Sequence, residues 1–97
     1  MNIIPIGPHD DGRVISSAVS LSALAPVGAN LLLMQALDQN VRYTLDGTTP
    51  TASTGFQLSQ GDPPIIIPLT VGTTVTVIQE AATADLQFQF CTIAALI

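Results

Sequence analysis

The sequence predicts an all-β protein, an antiparallel β-sandwich, and three observations lead to this prediction. Short apolar or alternating runs recur along the chain, and turn residues such as Gly, Pro, Asp and Asn separate them. No stretch carries the apolar period of a long helix. With 97 residues, 47% of them hydrophobic, the chain is long enough to bury one core. We therefore predict one sandwich domain over residues 14–97, preceded by an extended N-terminal arm over residues 1–13.

The arm is predicted to be extended because it contains two prolines. Pro5 and Pro8 fix their own φ angles and disfavour helix in the residues before them. Ile3, Ile4 and Ile6 give the arm apolar side chains that need cover. Two alternatives fit this pattern: the arm folds back as an edge strand, or it docks onto a neighbouring chain. In the second case, Ile3, Ile4, Pro5 and Ile6 are the predicted partner-binding residues.

After a turn predicted at residues 10–12, seven segments are predicted to be strands. The run LLLMQAL also suits a helix, but its short length and the turn signals on both sides favour a strand that is buried on both faces. Pro68 cannot donate to a ladder, so its strand belongs at a sheet edge or a bulge. The predicted strands cover residues 14–24, 31–37, 41–45, 56–58, 65–69, 74–78 and 86–93.

Two stretches keep alternative interpretations. Residues 80–85, EAATAD, form one helical turn or a loop. The apolar ending IAALI, residues 93–97, finishes the last strand or lies on a partner. In either case, about seven short strands separated by turns are typical of an immunoglobulin-like sandwich.

The charge composition argues against nucleic acid and membranes as partners. Arg13 and Arg42 are the only formal cations, against seven carboxylates, and the net charge is −5. Such a chain has no basic surface for nucleic acid. It also lacks a polybasic patch and an apolar run of membrane-spanning length. We predict no nucleic-acid partner and no membrane partner.

Only 9% of the residues are charged, and this scarcity indicates a covered surface. Soluble monomers usually spread charges of both signs over their surfaces. We infer that other protein covers part of this one, and we expect a homo-oligomer. A secreted domain with a surface rich in Ser and Thr is the alternative.

The residue inventory argues against an enzyme, a cofactor and a metal site. The single histidine, His9, lies in the arm, where a preorganised general base is not expected. The neighbouring side chains of "HDD" would point in opposite directions on an extended arm. A calcium site assembled between loops is the alternative to the absence of a metal site.

Cys91, the single cysteine, lies in an apolar stretch and is predicted to be a buried thiol. Tyr43 and the three Phe residues occupy strand positions and are predicted to be buried, which argues against a glycan-stacking platform.

The stretch VRYTLDGTTPTASTG, Val41 to Gly55, combines a half-buried strand with a polar turn. Asp46 and Gly47 predict a tight turn with an Asx-type hydrogen bond and a positive φ angle. Pro50 and the threonines are expected to hold the exit of the turn extended. Tyr43, Asp46, Gly47 and Pro50 are therefore predicted to be structural.

This stretch resembles the strand–turn motif of the small β-sandwich domain at the C-terminus of chitobiases and β-hexosaminidases. The motif reads aromatic-Thr-x-Asp-Gly-(Ser/Thr)-x-Pro-Thr. The matching residues are Tyr43, Thr44, Asp46, Gly47, Thr48, Pro50 and Thr51. The resemblance brings no catalytic residue.

The whole chain also resembles small stand-alone proteins of tailed bacteriophages that carry this motif. It shares with them its short length, the "GDPP" break and a strand after "EAAT". The resemblance implies a virion structural protein, most simply a capsid decoration or cement protein whose partner is the major capsid protein at the virion surface. A tail or neck component is the first alternative. An immunoglobulin-like adhesive or glycan-binding module is the second.

Overall fold

The structure of the protein, a computed structural model, describes residues 2–70 and 73–94. These residues form nine strands and one short 3₁₀ helix, Ser22–Leu24, arranged in two antiparallel sheets. The predicted all-β sandwich is confirmed. The strands are β1 (Asn2–Pro5), β2 (Asp10–Val14), β3 (Val19–Ser20), β4 (Leu31–Leu37), β5 (Val41–Thr44), β6 (Phe56–Leu58), β7 (Ile65–Pro68), β8 (Thr76–Gln79) and β9 (Asp85–Ala94).

The first sheet is built around β9, its longest strand. β4 pairs with β9 along its whole length, from Leu31 opposite Cys91 to Leu37 opposite Asp85, and β7 continues the sheet on the far side of β4. β1 and β2 share the other side of β9, one after the other. The run LLLMQAL is therefore a central strand, as predicted, because it finds ladder partners on both sides.

The second sheet has the order β3, β8, β5, β6. β5 is central here, with β8 on one side and β6 on the other. The strand Val41–Thr44 carries the first two motif residues, Tyr43 and Thr44, into this sheet. The turn after it leads directly to the edge strand β6.

The core lies between the sheets and is formed by alternate residues of the central strands. In the first sheet, Leu32 and Met34 of β4 face inward beside Phe88 and Phe90 of β9. Alternation along a strand sends the residues between them to the outer face. The buried cluster comprises Ile15, Leu21, Leu32, Met34, Ala36, Val41, Leu58, Ile67, Val75, Val77, Ala84, Leu86, Phe88 and Phe90.

The N-terminal segment is an edge of the first sheet, which is one of the two alternatives set out for it. β1 pairs with β9 from Asn2 opposite Ala94 to Pro5 opposite Cys91. β2 crosses the predicted boundary between residues 13 and 14 and pairs with the other half of β9. Residues 2–14 therefore contribute to the sheet of their own chain.

Two local predictions are wrong. Residues 10–12 do not form a separate turn; they lie in β2, whose register shifts between Asp10 and Arg13. The unpaired side of β9 offers ladder partners that turn propensity does not take into account. Of the predicted strand 14–24, Val14 ends β2 and only Val19–Ser20 form a separate strand, followed by the 3₁₀ helix. Leu21, fully buried, donates its N–H to Val75 O at 2.8 Å, and its own carbonyl accepts the N–H of Leu24 at 2.9 Å, which turns the chain at that point.

The two open stretches are partly resolved. Residues 81–84 form a turn rather than a helix, and Thr83 has a φ of +71°. Ala84, at the end of this turn, is fully buried in the core. Ile93 and Ala94 finish β9, and residues 95–97 lie outside the described residues.

Candidate interaction surfaces

The outer side of the first sheet is apolar over about half of its length, measured along the strands. Opposed residues of an antiparallel ladder share a face, so the register defines the set. Ile66 is 45% exposed and Ile93 39% exposed, whereas Leu31 and Cys91 are buried. We call this set the apolar face; its members are Ile3, Pro5, Leu31, Leu33, Ile66, Pro68, Cys91 and Ile93.

The other half of this outer side carries glutamines. Gln35 lies opposite Gln87, and Gln89 lies opposite Leu33. Gln35 Nε2 donates to Asp62 O at 3.2 Å, and Gln89 Nε2 donates to Gly7 O at 3.3 Å. These amides tie the two central strands to the flanking loops without adding charge.

The outer side of the second sheet carries an ion pair. Arg42 Nε donates to Glu80 Oε2 at 2.6 Å, and Gln57 Nε2 donates to the same oxygen at 2.7 Å. Arg42 Nη1 also donates to Gly55 O at 3.0 Å. The hydrogen bond from Gln57, reinforced by the hydrogen bond and charge of Arg42, lowers the pKa of Glu80 below its usual value. β5, β6, the residue that follows β8 and the motif loop are thereby joined.

Arg13, the other arginine, lies on the first sheet and is also engaged within the chain. Its Nε lies 3.3 Å from Asp10 Oδ2. Its guanidinium lies 5.6 Å from the centre of the Phe88 ring, in cation–π geometry. Both arginines of the chain are therefore held by internal partners.

The two outer edges of the first sheet are each interrupted by a proline. Ile6 N–H donates to Phe90 O at 2.8 Å. Hydrogen-bonded pairs alternate with non-hydrogen-bonded pairs along an antiparallel ladder. The polar backbone groups of Ile3 and Pro5 therefore point away from β9. Pro5 has no N–H to offer there. This edge consequently presents one strand donor, at Ile3.

The β7 edge follows the same rule. Leu69 N–H donates to Asn30 O at 2.8 Å, which directs the backbone of Ile66 and Pro68 away from β4. Pro68 again removes a donor, at the edge position that sheets tolerate for proline. Neither edge of the first sheet suits the addition of a long strand.

The predicted arm residues lie along β1 and just after it. Ile4 is exposed, as is Pro5, while Ile3 and Ile6 are half-buried. Ile3 and Pro5 belong to the apolar face. Ile6 borders a cleft on the first sheet together with Pro26 and Phe90. Their role in binding a partner stays a prediction.

The motif residues form a hydrogen-bonded turn. Thr48 N–H donates to Asp46 Oδ1 at 3.0 Å, and Gly47 has a φ of +86°. Hydrogen bonds from the side chain and backbone of Thr48 lower the pKa of Asp46. Pro50 is fully buried, and Thr51 bonds to Thr54 through both its backbone and its hydroxyl. The loop between β5 and β6 therefore has a conformation fixed by its own hydrogen bonds.

One aromatic residue is not where the sequence predicts it. Phe88 and Phe90 form an edge-to-face pair in the core, as predicted, and Tyr43 is half-buried. Phe56, predicted to be buried, is 62% exposed. It begins a three-residue edge strand, where the Tyr43 ring covers one side and no further strand covers the other. Only its position just after a long polar loop could have signalled this.

The described residues that could take part in metal or thiol chemistry lie apart from one another. Within residues 2–70 and 73–94, no three His, Cys, Asp or Glu side chains lie close enough to share a metal ion. His9 lies on the rim of a shallow depression beside Pro64 and Gln35. Burial raises the pKa of the Cys91 thiol, which keeps it protonated. No helix among these residues has the length and apolar character needed to cross a membrane.

Comparison with known proteins identifies no relative. No protein-family model, no curated protein and no solved structure matches this chain.

Gly55 provides a test of the loop geometry. Its φ is +106°, and a Cβ there would lie 3.0 Å from Tyr43 O and 3.3 Å from Pro50 Cβ. We expect Gly55→Ala to lower the free energy of unfolding by more than the cost of about 1–2 kcal/mol that a left-handed conformation imposes. Gly61→Ala is the matched control, because Gly61 has a φ of +85° but no atom within 4 Å of its Cβ position. Equal losses in urea denaturation would contradict the contact with Tyr43.

Glu80 generates a prediction about pH. Its pKa is lowered in the folded protein from a value of 4.5, so its contribution to stability is present above that pH and is lost as pH falls through the folded-state pKa. We expect wild type to be more stable than Glu80→Gln at pH 7, with the difference shrinking toward pH 3. Asp46 titrates in both proteins, so its effect cancels in the comparison. A difference that is constant with pH would contradict this assignment.

Proposed function

We propose that this chain is a non-enzymatic structural protein of a bacteriophage virion, a decoration or cement protein that binds the outside of the capsid and stabilises it. The apolar face is the observation that carries the proposal. Ile66 and Ile93 are partly exposed on this face, as are Pro5 and Pro68, whereas Leu31 and Cys91 between them are covered. Exposed apolar side chains grouped on one side of a sheet mark interaction sites. The resemblance to small tailed-phage proteins supplies the virion context.

Attachment through the face is favoured over attachment through an edge. The proline at each edge of the first sheet limits ladder hydrogen bonding, whereas the face presents Leu33 opposite Ile66, and Ile3 opposite Ile93, on the two sides of the Leu31–Cys91 row. A stable interface buries roughly 800 Å² per partner, and apolar burial contributes about 25 cal/mol per Å² before ordering costs. The apolar face would supply the centre of such a footprint on the major capsid protein.

The N-terminal segment extends this surface in the proposal. Ile3 and Pro5 lie beside Ile93 and Cys91 in the register, so β1 continues the apolar face to the edge of the sheet. Ile4, on the opposite side of the same strand, remains exposed for a neighbouring copy. Contacts of this kind repeated over many copies would join adjacent subunits in a homo-oligomeric layer.

Quantitative mass spectrometry of purified particles of the encoding virus tests the proposal. We expect the number of copies of this chain to be comparable to that of the major shell protein. A few copies per particle would instead indicate a tail or neck component. Absence from the particles would reject the virion assignment altogether.

A charge placed on the apolar face tests the mechanism separately. We expect Ile66→Glu to weaken attachment to undecorated particles by about tenfold or more, because burial of an unpaired carboxylate is costly. Val27→Glu adds the same charge at a fully exposed position in the connector before β4 and should attach like wild type. Thermal unfolding checks that both variants fold. Equal attachment of the two folded variants would exclude the face as the binding surface.

A further inference from the structure

A groove beside the motif loop is the most prominent feature that the proposed function leaves unused. It lies where β5 ends and β6 begins. Phe56 forms one wall, with 62% of the residue exposed, although large aromatic side chains usually find cover. The lining residues are Thr44, Leu45, Asp46, Thr48, Gly55 and Phe56.

The aromatic wall is held in position by its neighbours. The Tyr43 and Phe56 ring centres lie 5.6 Å apart with a tilt of 40°. The preceding residue, Gly55, is fixed because its carbonyl accepts a hydrogen bond from Arg42 at 3.0 Å. A ring that is already ordered loses little conformational freedom when a ligand packs on it.

The other side of the groove is polar and negatively charged. Asp46 is exposed, and its Oδ1 accepts the Thr48 N–H at 3.0 Å. Hydrogen bonds from Thr48 lower the pKa of Asp46, so the carboxylate is ionised at neutral pH. A carboxylate has about four acceptor positions, so it can accept further hydrogen bonds from a ligand. Gly55 also lines the groove.

We propose that the groove between Phe56 and Asp46 binds a neutral oligosaccharide. A sugar ring presents apolar C–H groups on one face and hydroxyl donors at its rim. The C–H groups match the negative face of an aromatic ring, and the hydroxyls match a carboxylate acceptor. Acidic sugars are disfavoured, since Asp46 lies in the groove and the chain carries a net charge of −5. This binding activity is additional to capsid attachment and does not depend on it.

A peptide is the competing occupant, and the structure favours it less. A peptide would add a strand beside β6, but that edge has only three residues. Backbone ladder bonds supply the affinity in strand addition, and so short an edge supplies few of them. The groove instead offers one aromatic plane and one cluster of acceptors, which suits a ligand rich in hydroxyl groups.

Amide NMR of the full ¹⁵N-labelled chain tests the proposal. The probes are cellohexaose, maltohexaose and mannohexaose, with trigalacturonate as the acidic comparison and the peptide acetyl-Ile-Thr-Val-Thr-Val-amide as the competing class. Each is titrated to about 10 mM, where a ligand with a Kd of about 1 mM nearly fills its site. We expect at least one neutral hexasaccharide to shift the Asp46, Thr48, Gly55 and Phe56 signals saturably.

Substitutions localise the site and separate its two walls. We expect Phe56→Ala to weaken sugar binding by about tenfold or more, and Asp46→Asn, which keeps an acceptor for Thr48, by about threefold. Val27→Ala, a fully exposed apolar position elsewhere, should bind like wild type. Phe56→Leu retains bulk without the aromatic face and guards against a folding defect. The proposal is overturned if no neutral sugar shifts these signals, if only the peptide does, or if Phe56→Leu binds normally.

Discussion

The pairing of β4 with β9 is the interaction on which the rest of the structure depends. It joins Leu31–Leu37 to the first seven residues of β9 without a break, and it places Leu32 and Met34 beside Phe88 and Phe90 in the core. β7 attaches to the free side of β4, and the N-terminal strands attach to the free side of β9. Because β9 is ten residues long, it can accommodate β1 and β2 in succession. A one-residue slip of β4 against β9 would move the core residues of β4 to the outer face.

The same register produces an amphipathic molecule. The outer side of the first sheet carries mainly apolar side chains and uncharged amides, with Asp85 at the end of the ladder, whereas the outer side of the second sheet carries the Arg42–Glu80 pair. Both side chains of this pair are half-buried, and the pair also holds Gly55 and Gln57, which lie on either side of Phe56. Prolines limit pairing at both edges of the first sheet, so the apolar face is the surface on which association through that sheet can proceed.

The strands that were predictable are those whose local pattern agrees with their tertiary setting. β4, β5 and β7 each show a short apolar or alternating run between turn signals, and Pro68 lies at an edge as its chemistry requires. The sequence could not show which strand would lie beside which. The β2 segment "DDGRV" has the composition of a turn, and it is a strand only because β9 offers it a partner.

The candidate sites also differ in whether the local sequence or the topology determines them. Asp46 and Gly47 adopt the turn that their side chains favour locally, so that geometry was accessible from sequence. The exposure of Phe56 depends on its place at the end of a sheet, which is a property of topology. The apolar face likewise exists only through register, since Ile3, Leu33, Ile66 and Ile93 are far apart along the chain.

The two proposed surfaces can operate at the same time because they belong to different sheets. The apolar face is the outer side of the first sheet, and the core separates it from the second sheet, which carries Phe56 and Asp46. A copy seated on a shell through the first sheet would direct the second sheet away from that shell. The loop would then be held toward solvent by Arg42, whose hydrogen bonds to Glu80 and Gly55 lie within one chain and need no partner. Capsid attachment and sugar binding would thus depend on separate groups of residues. Substitutions at one surface could then change its binding without weakening binding at the other surface.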